Sequence, residues 1–240
     1  MLGVGVACGR EGLAARASGE CRMLSRLPGR RRRAGLALGR MEAVGIEGLR
    51  IVPANEASWD DLQAILTGTA GRCQCQRQRL GDHDWWYMPQ AERGAILREE
   101  THCGDPRATE TIGIVAYVDD EPAGWCAVDV RGVYGRLRGS PVPWKDRDED
   151  KDDESVWAIA CLVVAKGHRH RGMTYPLVAA AVEHARDRGA KVVEGYPLIT
   201  GGKQIIWDEM SVGAVGPFLA AGFREVSHPT KRRVVMRLEL

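Results

Sequence analysis

The stretch AKGHRHRGMTYPL, residues 165–177, decides the reading of this 240-residue chain. It sets His168, Arg169, His170 and Arg171 ahead of Gly172, between two segments of opposite character. Before it runs VWAIACLVVA (156–165), nearly all apolar, as a strand buried on both faces must be. After it Leu177, Val178, Ala181, Val182 and Ala185 recur at helical spacing, with Pro176 suited to a first turn and Gly189 to a C-terminal cap. The cluster therefore sits where a buried strand turns into an amphipathic helix. Backbone N–H groups at a helix start have no partner inside the helix and stand at its positive end, so a glycine-bearing turn there offers an anion several donors at once. Phosphate is the natural guest. Arg169 and Arg171 add charge, Gly172 lets a ligand approach the backbone, and Thr174 brings a hydroxyl.

Three other readings compete with this one. His168 and His170 form an HxH pair, but no third ligand stands at a persuasive spacing and a strand-to-helix turn splays the two rings, so no metal site is expected. Nucleic-acid binding through so small a cluster lacks interleaved aromatics. The last alternative is a merely solvated basic loop.

The flanking sequence supplies a consistent set of elements. LRIVPA (49–54) reads as a strand, and Ser58 as the cap of a helix whose first turn carries Asp60 and Asp61. QAERGAILREETH (90–102) reads as a second helix, and TIGIVAYV, DDEPAG and GWCAVDV (111–130) as a hairpin. KDRDEDKDDE (145–154) has no apolar anchor and is expected to be a solvated, mobile loop. KVVEGY (191–196) is a further strand, followed by a short helical stretch ending at Gly222 and two terminal strands, FREV and RVVMRLEL.

At this point the chain resembles the GCN5-related N-acetyltransferase (GNAT) family, whose donor-binding motif runs Arg or Gln, two residues, Gly, one residue, Gly or Ala. Arg169, Gly172 and Thr174 occupy those places, Thr replacing the last small residue, and Val164 matches the apolar residue before them. The resemblance covers about residues 49–240. It implies an α/β (mixed α+β) fold with a central, mostly antiparallel sheet flanked by helices and splayed central strands. It implies acetyl-CoA as donor, its pyrophosphate on the amides of Arg169, His170, Arg171, Gly172, Met173 and Thr174, and its pantetheine arm on the main chain of Leu162 and Val164. An extended arm rich in amides suits a splayed strand because each backbone polar group needs a partner. The amide of Leu162 would also face the developing oxyanion.

Acetyl transfer further needs a neutral amine and a proton for the leaving thiolate. Many relatives place a tyrosine four residues before the closing Gly-Phe pair; counting back from Gly222 gives Phe218, so that phenol is absent. Tyr196 is the expected substitute, with Glu194 on the same face by period-two alternation as the base. Asp129 and Glu154 are weaker candidates. Cys73-x-Cys75 and Trp85-Trp86-Tyr87 are expected to wall the acceptor pocket or simply to pack, Trp125 and Trp157 to lie in the core, and residues 198–216 to act as a lid.

Bulk composition frames these readings. The net charge of +2 is uneven: residues 1–40 hold nine Arg and two Glu, leaving the remaining 200 residues at −5, a poor surface for coating nucleic acid. Residues 1–40 are expected to be a disordered basic extension, or to precede a true start at Met41, and residues 41–240 a single N-acetyltransferase domain. Seven irregularly spaced cysteines fit a reducing cytoplasm better than a disulfide framework. Neither a signal peptide nor a membrane-spanning run of ~20 apolar residues is apparent. The expected protein is a cytoplasmic acetyl-CoA-dependent N-acetyltransferase for a primary amine of a small molecule or protein, with no nucleic-acid or membrane partner and a homodimer left open. The alternative is a non-catalytic acyl-CoA-binding module.

Overall fold

The computed structural model describes residues 45–201 and 211–240. The expected basic extension, 1–40, lies outside them, as do residues 202–210 of the expected lid. Seven strands form one sheet in the order β1-β2-β3-β4-β5-β7-β6: β1 Leu49–Pro53, β2 Ile114–Val118, β3 Glu121–Val130, β4 Val156–Val164, β5 Val192–Gly195, β6 Arg224–Thr230 and β7 Arg233–Glu239. Only β4 and β5 run parallel; every other neighbouring pair is antiparallel. The expected hairpin is β2–β3, and it closes on Asp119 and Asp120, both at positive φ (49° and 64°), the backbone that a two-residue turn of matching twist requires.

Helix α6, Thr174–Asp187, covers one face. Its Leu177, Val178, Ala181, Val182 and Ala185 pack on Ile114, Ala116, Cys126, Val128, Ile159 and Phe218, each large side chain contributing roughly 1.5–3 kcal/mol by leaving water. The helix ends as expected: Gly189 takes φ +85°, its N–H donates to Arg186 O, and that of Ala190 to Ala185 O. The opposite face is covered in two patches. Helices α1 (Trp59–Ile65), α2 (Gly68–Cys73) and α4 (Gln90–Thr101) lie over β2, β3 and the end of β4; α3 is Asp82–Tyr87. Ser58 caps α1 by accepting the Asp61 N–H at 3.0 Å. Helix α5, Gly135–Gly139, lies over β4, β5 and β7 through Tyr134 and Leu137.

Between these patches the sheet opens. β4 pairs with β5 only from Val156 to Ile159; β5 then ends at Gly195 while β4 continues to Val164. At that point β4 is irregular against β3: Ala127 faces Cys161 and Val128 faces Ile159, which leaves Ala160 as the extra residue of a bulge. The bulge shifts the side-chain alternation by one. Trp157, Ile159 and Leu162 face α6, whereas Ala160 and Cys161, although adjacent, both face away from it. Two small side chains in a row leave open space beside the splayed strand.

The charged loop 145–154 is exposed at every residue but Arg147, and has an inward anchor besides. Trp144 is buried and its indole N–H donates to Leu137 O at 2.6 Å, while Arg147, with a side chain 5% exposed, reaches down to Glu194. Alternating charges here feed an internal ion network.

Candidate functional site

The strand-to-helix turn forms a main-chain concavity. Residues Lys166–His168 make a short 3-10 turn, Arg169 is extended, and His170 and Gly172 take φ +62° and +77°. Alternation of this kind turns successive N–H groups to one side, the arrangement of an anion-binding nest. The N–H groups of His170, Arg171, Gly172, Met173 and Thr174 have no hydrogen-bond partner among the described residues. Met173 is buried and anchors the turn, whereas His170 and Arg171 are exposed. His168 faces Glu121 at 3.7 Å instead of pairing with His170. No group of three or more His, Cys, Asp or Glu among the described residues is placed to hold a metal ion.

Beginning at Lys166 and Arg169, and not lined by His170 to Thr174, a cavity of about 460 Å³ runs along the splayed part of β4, lined by Ala160, Cys161, Leu162, Val163, Lys166, Arg169 and Ser211 on one side and by α2, Cys73, Cys75, Arg77, Gln78 and Trp85 on the other. Cys73, Cys75 and Trp85 thus wall the cleft. Trp86 and Tyr87 do not: each is 73% exposed. Trp125 is fully buried, its indole N–H donating to Cys75 Sγ at 3.0 Å, and Trp157 packs in the core against the edge of His184. Burial raises the Cys73 thiol, and Cys161 and burial raise that of Cys75 well above the ordinary range, so neither thiol is a ready nucleophile.

The main chain of β4 is partly engaged. Leu162 N–H donates to Ser211 O at 2.6 Å and Val164 O accepts from Arg169 Nε at 3.1 Å. Both groups point to the splayed side. The Leu162 amide can meet an oxyanion only after releasing Ser211.

A second cavity, about 520 Å³, adjoins the first through Arg77, Gln78 and Ser211 and extends over Arg136, Leu137, Tyr196, Leu198, Arg232, Arg233 and Val235. Tyr196 borders it, but the phenol is aimed elsewhere. Its hydroxyl donates to Glu194 Oε2 at 2.9 Å, and burial first, then the neighbouring carboxylate, holds its pKa well above the usual phenol range.

Glu194 is fully buried and borders neither cavity. Its Oε1 meets Arg131 at 3.3 Å and Arg237 at 3.2 Å and binds Arg147 as well. Arg131 and Arg147 stack over Trp144 at 4.8 and 5.2 Å, and Glu149 bridges Arg147 and Arg237. Glu194 and Tyr196 share a face as expected and are hydrogen-bonded, and the three guanidiniums and the phenol engage both carboxylate oxygens. Alternation placed the residue on the right face and could not reveal three arginines arriving from Arg131, Arg147 and Arg237. Asp129 is likewise committed, to Arg79 at 2.9 Å.

Phe218, on α7 (Val215–Ala220), fills the place of the absent phenol with a buried ring set edge-on to Phe223 at 5.2 Å. A side chain at Gly195 would fall 2.1 Å from that ring, so the ring occupies the space above the end of β5. No local signal marks Ser211 as a partner of the adjacent pair Arg77 and Gln78; the three meet at the junction of the two cavities.

Residues 77–195 match the family described as the Acetyltransferase (GNAT) family. Among solved structures, the chain is similar to a GCN5-related N-acetyltransferase from Kribbella flavida (17% identity, TM-score 0.48, covering 80% of this chain and 98% of that one). It is similar also to an acetyltransferase of the GNAT family from Streptococcus pneumoniae (15%, TM-score 0.45, 80% and 99%). A third is the ribosomal-protein-alanine N-acetyltransferase from Brucella melitensis (15%, TM-score 0.46, 80% and 99%). No curated protein matches the chain.

Proposed function

We propose that this chain, which belongs to the acetyltransferase (GNAT) family through residues 77–195, moves an acetyl group from acetyl-CoA to a primary amine by direct transfer inside the splayed sheet. The observation that carries the reading is the turn 169–174: the N–H groups of His170 to Thr174, without a partner among the described residues, and two positive-φ residues, beside the basic side chains of Lys166, Arg169 and Arg171, make a cradle fit for a pyrophosphate. The donor, when bound, supplies the thioester carbonyl that the amine attacks. Arg169 to Thr174 hold its diphosphate, and Leu162 and Val164 exchange their present bonds for the extended arm. The cleft between β4 and α2 keeps water from the thioester, while the second cavity presents the amine at the junction near Ser211. Tyr196 borders the acceptor cavity with its phenol turned to Glu194, which holds it instead of acting as base. The proposed setting is the cytoplasm; no helix of the described residues is long and apolar enough to cross a membrane.

Thermal shift with CoA tests the cradle. A ligand that binds only the native state raises the midpoint. Arg171→Glu, at an exposed position, should weaken CoA binding by about tenfold or more through charge reversal beside the diphosphate. Gly172→Val, forced to a positive φ that a β-branched residue resists, should remove the rise altogether. Equal shifts in wild type and Arg171→Glu would defeat the assignment without depending on the folding of the glycine variant. Release of free thiol with an amine, against tight CoA binding without turnover, separates the enzyme from a non-catalytic binding module.

A further inference from the structure

Two thiols meet in the wall of the first cavity. Cys161 stands on β4 and Cys75 just past the end of α2, 86 positions apart in the chain, yet their Sγ atoms lie 3.4 Å from each other. Neither position is an ordinary one. The bulge at Ala160 shifts the alternation of β4 and so turns Cys161 away from α6 and towards Cys75. Cys75 takes φ +52° next to Gln74 at +49°, two consecutive left-handed residues that are not glycine, a conformation that persists only where its surroundings impose it. They do so here: the Gln74 amide donates to Gln63 and to Gly71 O, that of Gln76 donates to Glu100, and the Trp125 indole N–H holds Cys75 Sγ itself at 3.0 Å. Backbone irregularity on both sides of the contact therefore aims one sulfur at the other. Both residues are nearly buried, but both line the cavity, so a solute as small as a peroxide reaches them.

We propose that Cys75 and Cys161 are an oxidation site: a peroxide joins them in a disulfide that ties α2 to β4 and narrows the cleft. The consequence for CoA rests on the transfer reading above; the bond itself does not. Intracellular disulfides are usually transient and sensing or catalytic, which suits a pair that stays reduced until an oxidant arrives. The hydrogen bond to Cys161 and burial keep the Cys75 thiol protonated, so Cys161 is the attacking sulfur and Cys75 the resolving one. The Cys161 thiolate attacks one peroxide oxygen, the O–O bond breaks, and the released hydroxide takes up a proton to leave as water. Cys75 then attacks the resulting sulfenic sulfur, the S–S bond forms, the S–O bond breaks, and the Cys75 proton leaves with the hydroxyl as a second water. Both electrons go from the thiols to the peroxide. Bonded sulfurs stand about 2.0 Å apart, so the pair has to close by roughly 1.4 Å. β4 is held by β3 along its length, whereas Cys75 lies in a turn behind a helix of six residues. The movement therefore falls on α2, whose Ala70 and Cys73 form the facing wall of the cleft.

The test treats the full chain with hydrogen peroxide, removes the peroxide, blocks the remaining thiols and maps cross-linked peptides by mass spectrometry. The expected product joins Cys75 to Cys161 and is cleaved by dithiothreitol. A tie across 86 positions restricts the unfolded chain, so the thermal midpoint of the ligand-free protein should rise, whereas indiscriminate oxidation of a core lowers it. Calorimetry with desulfo-CoA, which has no thiol to exchange with the bond, should show binding weaker by about fivefold or more than to the reduced protein, with recovery after dithiothreitol. Cys161→Ala, whatever its own affinity for desulfo-CoA, should give no such cross-link and no further change in affinity on treatment. A disulfide through Cys73 in place of either partner, sulfinic acid without a cross-link, or a cross-linked protein that binds desulfo-CoA as tightly as before overturns the proposal. If desulfo-CoA binds not even the reduced protein, the cradle reading falls, while the cross-link, read by mass alone, still upholds or overturns the oxidation site.

Discussion

Glu194→Ala is expected to cost about 3–5 kcal/mol of stability, the usual consequence of stripping one partner from a buried ion cluster. The carboxylate is fully buried and is the common partner of Arg131, Arg147 and Arg237, of which Arg131 is itself wholly enclosed. Without it, three guanidiniums face one another beneath Trp144, sharing Glu149, with Glu239 reaching Arg237 besides. Domains of this size have only about 5–15 kcal/mol to lose, so the urea midpoint should fall by a large fraction. Glu194→Gln, which keeps the volume and Tyr196's acceptor, should fall less far. Removing one guanidinium as well, in Glu194→Gln/Arg147→Gln, should recover part of the loss; coupling of that sign is what a double-mutant cycle measures for groups in contact. A catalytic base predicts the opposite pattern, an unchanged midpoint and turnover abolished across the pH range. A Glu194→Gln protein as stable as the wild type and inactive would return the residue to the base role.

The contrast between Glu194 and the turn at 169–174 shows what could be read from the residues alone. The turn is a local object. A buried strand, a glycine and a helix start fix the backbone through neighbours in sequence, so the spacing of Arg169, Gly172 and Thr174 carries the geometry, down to the positive φ at Gly172. The sheet was legible for the same reason: apolar runs, a two-residue turn at Asp119–Asp120 and a capped helix at Ser58 are all short-range signals. Glu194 belongs to a long-range object. Arg131 comes from the end of β3, Arg147 from the charged loop and Arg237 from β7, and nothing near Glu194 in sequence announces them. The bulge at Ala160 was equally hidden, because Ala160 and Cys161 fit an apolar strand whichever face they take.

His184 yields the second large effect, and its sign follows from burial. The ring lies on α6, 5% exposed, edge-on to Trp157 at 6.1 Å, with its Nδ1 3.1 Å from an Arg188 guanidinium nitrogen. Burial first, then Arg188, depresses its pKa from 6.5 to about 4, with the nearby Thr111 main chain opposing weakly. The native ring therefore stays neutral at pH values where the unfolded chain has already taken up a proton. Where the unfolded state binds more protons, stability rises with pH. The stability tied to His184 is thus complete above pH 6.5 and drains away as the pH falls from 6.5 towards 4. Each pKa unit corresponds to about 1.4 kcal/mol, so the loss across the window is about 3 kcal/mol. Carboxylates such as Glu149, whose pKa its arginine partners lower against the opposing effect of burial, also destabilise the acid side. The observable is therefore the difference between wild type and His184→Gln, measured by urea unfolding at pH 7.5 and at pH 4.5; contributions from independent sites cancel in it. The variant should be the less stable protein at pH 7.5, having lost the fit against Trp157, and the gap should shrink or reverse at pH 4.5. A gap independent of pH would mean that the buried ring takes up its proton without cost, and that the packing of α6 on Trp157 tolerates an imidazolium.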